Sequence, residues 1–257
     1  MCPTQKVHSI QDAVPQVGVD GCRGGWLAVW SLTNREDSWE FAVFESFADL
    51  LVALPVAEPI FVDMPIGLPD RRKRSRQVDK AARRFLGKGL SSRVFSAPAR
   101  RTLHHGLSYP EALKINREET GVGLSRQSYF LIPKIRQVDA ALQSEAAGRR
   151  ILEAHPETVF AAFNQVSAIH ESKKSESGRA LRLNLLKRLA PETEALFERI
   201  KTEIPRKEAQ LDDILDAMVL AMAAGWSNGW IPLDGIHEVD SKNRAMQMCI
   251  PRMPERA

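Results

Sequence analysis

The chain has 257 residues, 44% hydrophobic and 26% charged, which is enough apolar material for one large domain or a domain with a big insertion. A formal net charge of +4 permits a nucleic-acid partner without requiring one. Cys2, Cys22 and Cys249 lie too far apart for a disulfide framework or a cysteine zinc site. With no apolar run of membrane-spanning length and no apolar signal core, a cytoplasmic protein with no membrane partner is expected.

Residues 1–16 carry Pro3 and Pro15 without periodicity and are expected to form a flexible arm. Three strands follow, at 17–20, 27–32 and 39–44. Short links at 21–25 and 33–38 join them, so an antiparallel meander is expected. Ser46 is placed to cap a helix reaching about residue 54, and Pro59 leads into Ile60-Phe61-Val62-Asp63. That run is apolar without alternation, as in a strand buried on both faces, and Pro65 ends it. The order is β-β-β-α-β.

From about 71 to 149 helical patterns dominate, at 72–87, 108–118 and 125–146, and read as an insertion after the fourth strand. Its first half is dense in arginine and lysine, which suits either a solvated helix face or a surface facing phosphates. A strand at 150–155 and helices at 157–163, 178–189, 191–203 and 211–227 complete the pattern. No repeat or linker divides it, so a single domain spanning 17–251 is expected.

The chemistry-bearing residues are mostly acids. Asp20 and Asp63 each end a strand and precede a glycine-containing turn; each also suits a plain turn residue. Asp213 and Asp216 are three apart and share a helix face. Asp213 suits the helix dipole, but Asp216 falls where the helix is apolar nearly all round and needs a metal ion or a basic side chain beside it. Glu157, after His155-Pro156, suits either a first-turn helix acid or a further ligand. Hard oxygen donors without cysteine point to Mg²⁺ or Mn²⁺. Gly21, Gly24 and Gly25 lead into a strand, so a Rossmann site is not supported, and a Walker loop is absent.

Taken together, the order of elements resembles the ribonuclease H-like fold, an α/β fold with a mixed sheet, and Asp213-x-x-Asp216-Ala217 is similar to the helix motif of Holliday-junction resolvases. More closely, the chain resembles the domain of unknown function 429 (DUF429) family, described as predicted nucleases of that fold. The motifs are Val19-Asp20-Gly21-Cys22-Arg23-Gly24-Gly25-Trp26, Val62-Asp63-Met64-Pro65-Ile66-Gly67-Leu68, Val94-Phe95-Ser96-Ala97-Pro98, Gly123-Leu124-Ser125-x-Gln127, Pro133-Lys134-Ile135, His155-Pro156-Glu157 and Ser172-Lys173-Lys174. The resemblance implies metal-binding carboxylates at Asp20, Asp63 and Asp216 or Asp213, with Glu157 as an additional ligand. It implies a two-metal nuclease, with Lys134, Arg23, Arg71, Arg72, Arg83 and Lys173 toward substrate phosphates. Two positions depart from the pattern: Asp63 stands where many superfamily nucleases carry Glu, and Gln137 where Glu is expected. The alternatives are a non-catalytic nucleic-acid-binding protein and an actin-like or sugar-kinase-like ATPase.

Overall fold

Alternating small and branched residues at the start of the chain build a strand whose two faces do different work. The computed structural model describes residues 15–31, 39–55, 57–143, 151–235 and 237–254; the expected arm up to residue 14, the 33–38 link, Cys2 and the 144–149 stretch lie outside these. Strand β1 (Gln16–Cys22) turns back directly into β2 (Gly25–Ser31), with Cys22 opposite Gly25. Gly25 has φ +128°, and a Cβ there would sit 2.1 Å from the Phe44 carbonyl oxygen, so both the turn and the neighbouring strand require glycine. β3 (Trp39–Phe44) pairs antiparallel with β2, completing the expected meander.

Ser46 caps helix α1 (Phe47–Ala53), its Oγ accepting the Asp49 N–H at 3.1 Å. The chain then enters β4 (Ile60–Val62), which lies parallel to β1 on the side away from β2. β5 (Ile151–Glu153) adds parallel to β4, giving a five-stranded mixed sheet of order β3-β2-β1-β4-β5. All three β4 residues are buried, as a non-alternating apolar run demands.

Between β4 and β5 lie α2 (Gln77–Leu86), α3 (Tyr109–Thr120) and α4 (Arg126–Ala141). The first begins five residues later than its periodicity predicts. Asp70 Oδ1 accepts the N–H groups of Arg72 and Lys73 at 2.9 and 3.0 Å, folding that stretch into a turn. After β5 come α5 (Pro156–Phe163), α6 (Glu176–Leu189), α7 (Thr193–Glu203) and α8 (Leu211–Ala224). A two-stranded ribbon, β6 (Trp230–Pro232) with β7 (Cys249–Pro251), closes the described fold; three-residue strands carry too little periodicity to be read from sequence.

Helix α8 packs on one face of the sheet with α5, α6 and α7, around Leu27, Val29 and Phe61. On the other face α1 and α4 cover Val17, Val19, Trp26 and Val62. Gln137 of α4, where the family resemblance leads one to expect Glu, accepts the Trp26 indole N–H and the Phe47 backbone N–H, both at 2.8 Å. It joins α4 to the sheet and to α1, a packing role away from the acids. No described helix is long and apolar enough to cross a membrane, and Cys22 and Cys249 are buried free thiols.

Candidate acidic site at the strand ends

Because β1 and β4 are parallel, their carboxyl ends leave the sheet along one edge. Val19 pairs with Val62, and the Asp63 N–H donates to the Val19 carbonyl at 3.1 Å, so Asp20 and Asp63 emerge side by side. Gly18 brings the third element in. A Cβ there would fall 2.1 Å from the Ala221 nitrogen and 2.2 Å from the Ala217 carbonyl oxygen, so the α8 backbone rests directly on β1. This close approach carries Asp216 and Asp213 to the same edge.

The acids are not equally exposed. Asp216 is fully buried, and Asp20 nearly so. Asp213 accepts the Gln210 N–H on Oδ2 at 2.8 Å, capping α8 as its sequence position suggested. Lys173, on the loop before α6, donates to Asp216 Oδ2, whereas Asp216 Oδ1 is buried without a hydrogen-bond partner.

The electrostatics follow from crowding in a dry place. Burial, then the charges of Asp216, Asp63 and Asp213, push the Asp20 carboxyl well above the usual carboxylate range. Burial pushes Asp216 up to about 6 despite the opposing pull of Lys173. Burial also raises Asp213. For Lys173 burial works downward, but the surrounding Asp216, Asp20 and Asp63 outweigh it and raise the ammonium above its ordinary value. Lys134 donates to the Gly25 carbonyl and lies 4.7 Å over the Trp26 ring; burial lowers its pKa, opposed by Cys22, Asp20 and Asp213. Four carboxylates therefore share two ammonium groups.

Among the described residues, no three carboxylate, imidazole or thiol groups are already gathered closely enough to hold a metal ion. The donor chemistry nevertheless suits a hard cation: the acids offer only oxygen, carry excess negative charge and include the orphaned Asp216 Oδ1. Two adjoining clefts open here. One, of about 240 Å³, is lined by Asp20, Asp63, Asp213 and Lys173. The other, of about 220 Å³, shares Asp63 and Lys173 and reaches Asp216. A larger concavity of about 560 Å³ beside β5 holds none of these four acids.

Several of the other expected site residues already have partners. Glu157 lines the second cleft with Asp216, where it accepts Arg182 Nη2 on both oxygens at 2.7 and 2.9 Å and is also paired with Arg93. Arg71 pairs with Glu119 at 2.9 Å in a separate hollow that includes Arg72. Arg83 grips the Val94 carbonyl with Nε at 3.1 Å, and Arg23 is exposed on the β1–β2 turn, lining neither cleft. Lys173 and Lys134 alone of the expected phosphate-facing residues lie among the acids.

One buried group escaped sequence reasoning. Arg76, only 2% exposed, pairs with Glu153 and, at 3.2 Å, with Asp79 at the floor of the first cleft. Glu153 ends β5 opposite Val62 and accepts the Ile66 N–H at 2.7 Å; burial pushes its carboxyl up to about 7 against the pull of Arg76. It is level with Val19 and Val62, one residue short of the register of Asp20 and Asp63, and its partner lies 77 residues away in sequence.

A mixed sheet with acids near the carboxyl ends of its parallel strands, and an acid-bearing helix laid across them, defines the class of protein. Within that class the chain belongs to the family described as Protein of unknown function (DUF429), whose sequence model matches residues 18–231, from β1 into β6. No curated protein and no solved structure matches it.

Proposed function

We propose that the protein is a metal-dependent phosphodiesterase, a nuclease of ribonuclease H-like fold that uses Mg²⁺ or Mn²⁺ in a reducing cytoplasm. The observation that carries this reading is the gathering of Asp20, Asp63, Asp213 and Asp216 from β1, β4 and α8 about the ammonium groups of Lys173 and Lys134, with Asp216 Oδ1 left unpartnered. The strand order supports the fold assignment: an antiparallel meander followed by parallel strands on the far side of β1 is the arrangement expected of that superfamily. The mildly basic chain suits a nucleic-acid substrate.

Asp20, Asp63 and Asp216 would hold the cation, which when bound supplies an activated water and charge to stabilise the leaving oxygen. Asp213 keeps one carboxylate oxygen beyond its cap for a proton or a water. Lys173, lining both clefts, sets an ammonium beside a phosphate entering either one. Lys134 lies behind Asp20 and Asp213 and tempers their charge.

The Lys173–Asp216 pair favours a second reading, in which this built-in counter-ion suffices and the protein binds nucleic acid without cutting it. An ATPase fits poorly, because two N–H groups of the Met64–Pro69 turn are already used. Ile66 N–H donates to Glu153 and Leu68 N–H to Asp240 at 3.1 Å, leaving neither for a phosphate.

The test is cleavage of labelled DNA, RNA, hybrid and branched substrates with Mg²⁺, Mn²⁺ or EDTA, comparing wild type with Asp20→Asn and Asp63→Asn. Metal-dependent products that both substitutions abolish support the nuclease. Tight binding without products, unchanged by either substitution, sinks it in favour of the non-catalytic reading.

A further inference from the structure

The Val94–Pro98 segment supplies none of the acids, yet it forms a lip shared by both clefts. Many bonds hold its backbone. Arg83 donates to the Val94 carbonyl and to Ser96 Oγ, the latter at 2.9 Å. Ala97 N–H donates to Asp79 at 3.2 Å, and Ser128 Oγ donates to the Ser96 carbonyl at 3.3 Å. From this fixed loop a phenyl ring points outward: Phe95 is 37% exposed and lines both clefts.

Gln127, in the first turn of α4, lines the same two clefts, is exposed, and makes no side-chain hydrogen bond among the described residues. Leu131, Ile135 and Met64 give the first cleft an apolar wall, while Asp20, Asp63 and Lys173 give it a charged one. A ring face, a free amide and a charged wall together match the three parts of a nucleotide. Aromatic faces stack any base, an amide both donates to and accepts from a base edge, and the ammonium meets the phosphate.

We propose that Phe95 and Gln127 form a subsite for one unstacked nucleobase of a single strand, set beside the carboxylates that would act on its phosphate; this rests on the phosphodiesterase reading. A strand is favoured over a free nucleotide by the neighbouring surface. A groove of about 640 Å³ continues from Asp213 past Lys174, Arg179 and Arg206, which would pair with the phosphates of flanking nucleotides. Bases stacked inside a duplex cannot reach the ring, so the substrate class is a single strand, or a frayed or unpaired end.

The experiment is fluorescence anisotropy on full-length protein with Mg²⁺, in an Asp20→Asn background that suppresses turnover. The probes are a labelled single-stranded oligonucleotide, the same chain with abasic residues, and a blunt duplex, with a mononucleotide as competitor. Phe95→Ala should weaken binding of the base-bearing strand about tenfold to a hundredfold. Binding of the abasic strand should be unchanged, and Phe95→Trp should retain affinity. Gln127→Ala should change the preference among homopolymers. Equal binding of the base-bearing strand by the parent and Phe95→Ala, or an equal loss on the abasic strand, overturns the subsite. A mononucleotide that competes as well as the strand overturns the single-strand assignment. If neither the parent nor wild type binds any of the probes, the subsite falls, while cleavage by wild type decides the phosphodiesterase reading separately. Phe95-dependent binding, with no cleavage by wild type in Mg²⁺ or Mn²⁺, keeps the subsite and removes the hydrolase.

Discussion

At Asp216, burial and charge act against each other. Its carboxylate is shielded from water, one oxygen is paired with Lys173, the other has no partner, and Asp63 and Glu157 add to the negative field around it. Such a site is tuned for something other than stability. Asp20→Asn removes one of the mutually repelling charges, so in EDTA it should raise the melting temperature while lowering metal-dependent cleavage by at least about a hundredfold. Calorimetry and the cleavage assay together check this, and a lower melting temperature would count against the repulsion argument. Arg182→Met should behave in the opposite way. Arg182 is fully buried and holds both Glu157 oxygens, so its loss strands a buried carboxylate with only Arg93 and should cost about 3–5 kcal/mol in urea unfolding. The two acids thus have different fates. Glu157 is neutralised by two guanidinium groups, whereas Asp216 retains an unmet oxygen.

The element that decides the site is α8, and its position depends on Gly18. Any side chain there collides with the helix backbone rather than with a movable side chain. Gly18→Ala should therefore cost about 3 kcal/mol or more, and any folded fraction should lose activity, because retreat of the helix carries Asp213 and Asp216 away from Asp20. Gly87 is a control of another kind. It has φ +83° with nothing within 4 Å of an added Cβ, so Gly87→Ala meets backbone strain alone and should cost about 1 kcal/mol with activity kept. Denaturant midpoints and turnover of the two variants separate a packing constraint from a conformational one. On the opposite face of the sheet, α4 contributes through Gln137 and Lys134, which join it to Trp26 and the β1–β2 turn.

Over the whole molecule, the raised acids set how stability depends on pH. Glu153 is moved from an ordinary 4.5 to about 7, and Asp216 from 3.8 to about 6, both chiefly by burial. An acid with a raised native pKa holds its proton more tightly when folded. Its stabilising contribution is complete below the unfolded value and is lost as pH rises through the folded one. Stability in EDTA should therefore decline from about pH 4 to pH 7, with a slope of up to about 1.4 kcal/mol per pH unit for each group. Glu153→Gln should flatten the upper part of that decline in thermal melts across the range. A slope unchanged by the substitution would mean that Arg76 outweighs burial at Glu153. The cleft floor is also tied to distant segments: Asp240 accepts the Leu68 N–H, and Arg100 bridges Asp240 to Asp139 of α4 at 2.9 Å. The turn after Asp63 is thereby fastened to the chain beyond β6.

Much of the frame was legible without coordinates, because its signals are local. Apolar runs ending in Asp20 and Asp63, the Ser46 cap, short links between strands and an apolar helix bearing Asp216 each lie within a few residues and dictate a strand, a turn or a helix where they stand. The pairing of charges was not legible. That Lys173 meets Asp216 while Arg71 turns to Glu119, that Glu157 is held by Arg182, and that Arg76 reaches Glu153 are encounters across 25 to 77 residues of chain. Side-chain type sets which residues are able to pair; only the packing of helices on a twisted sheet decides which are brought within reach, because ion pairing depends on distance in space and composition carries no record of it.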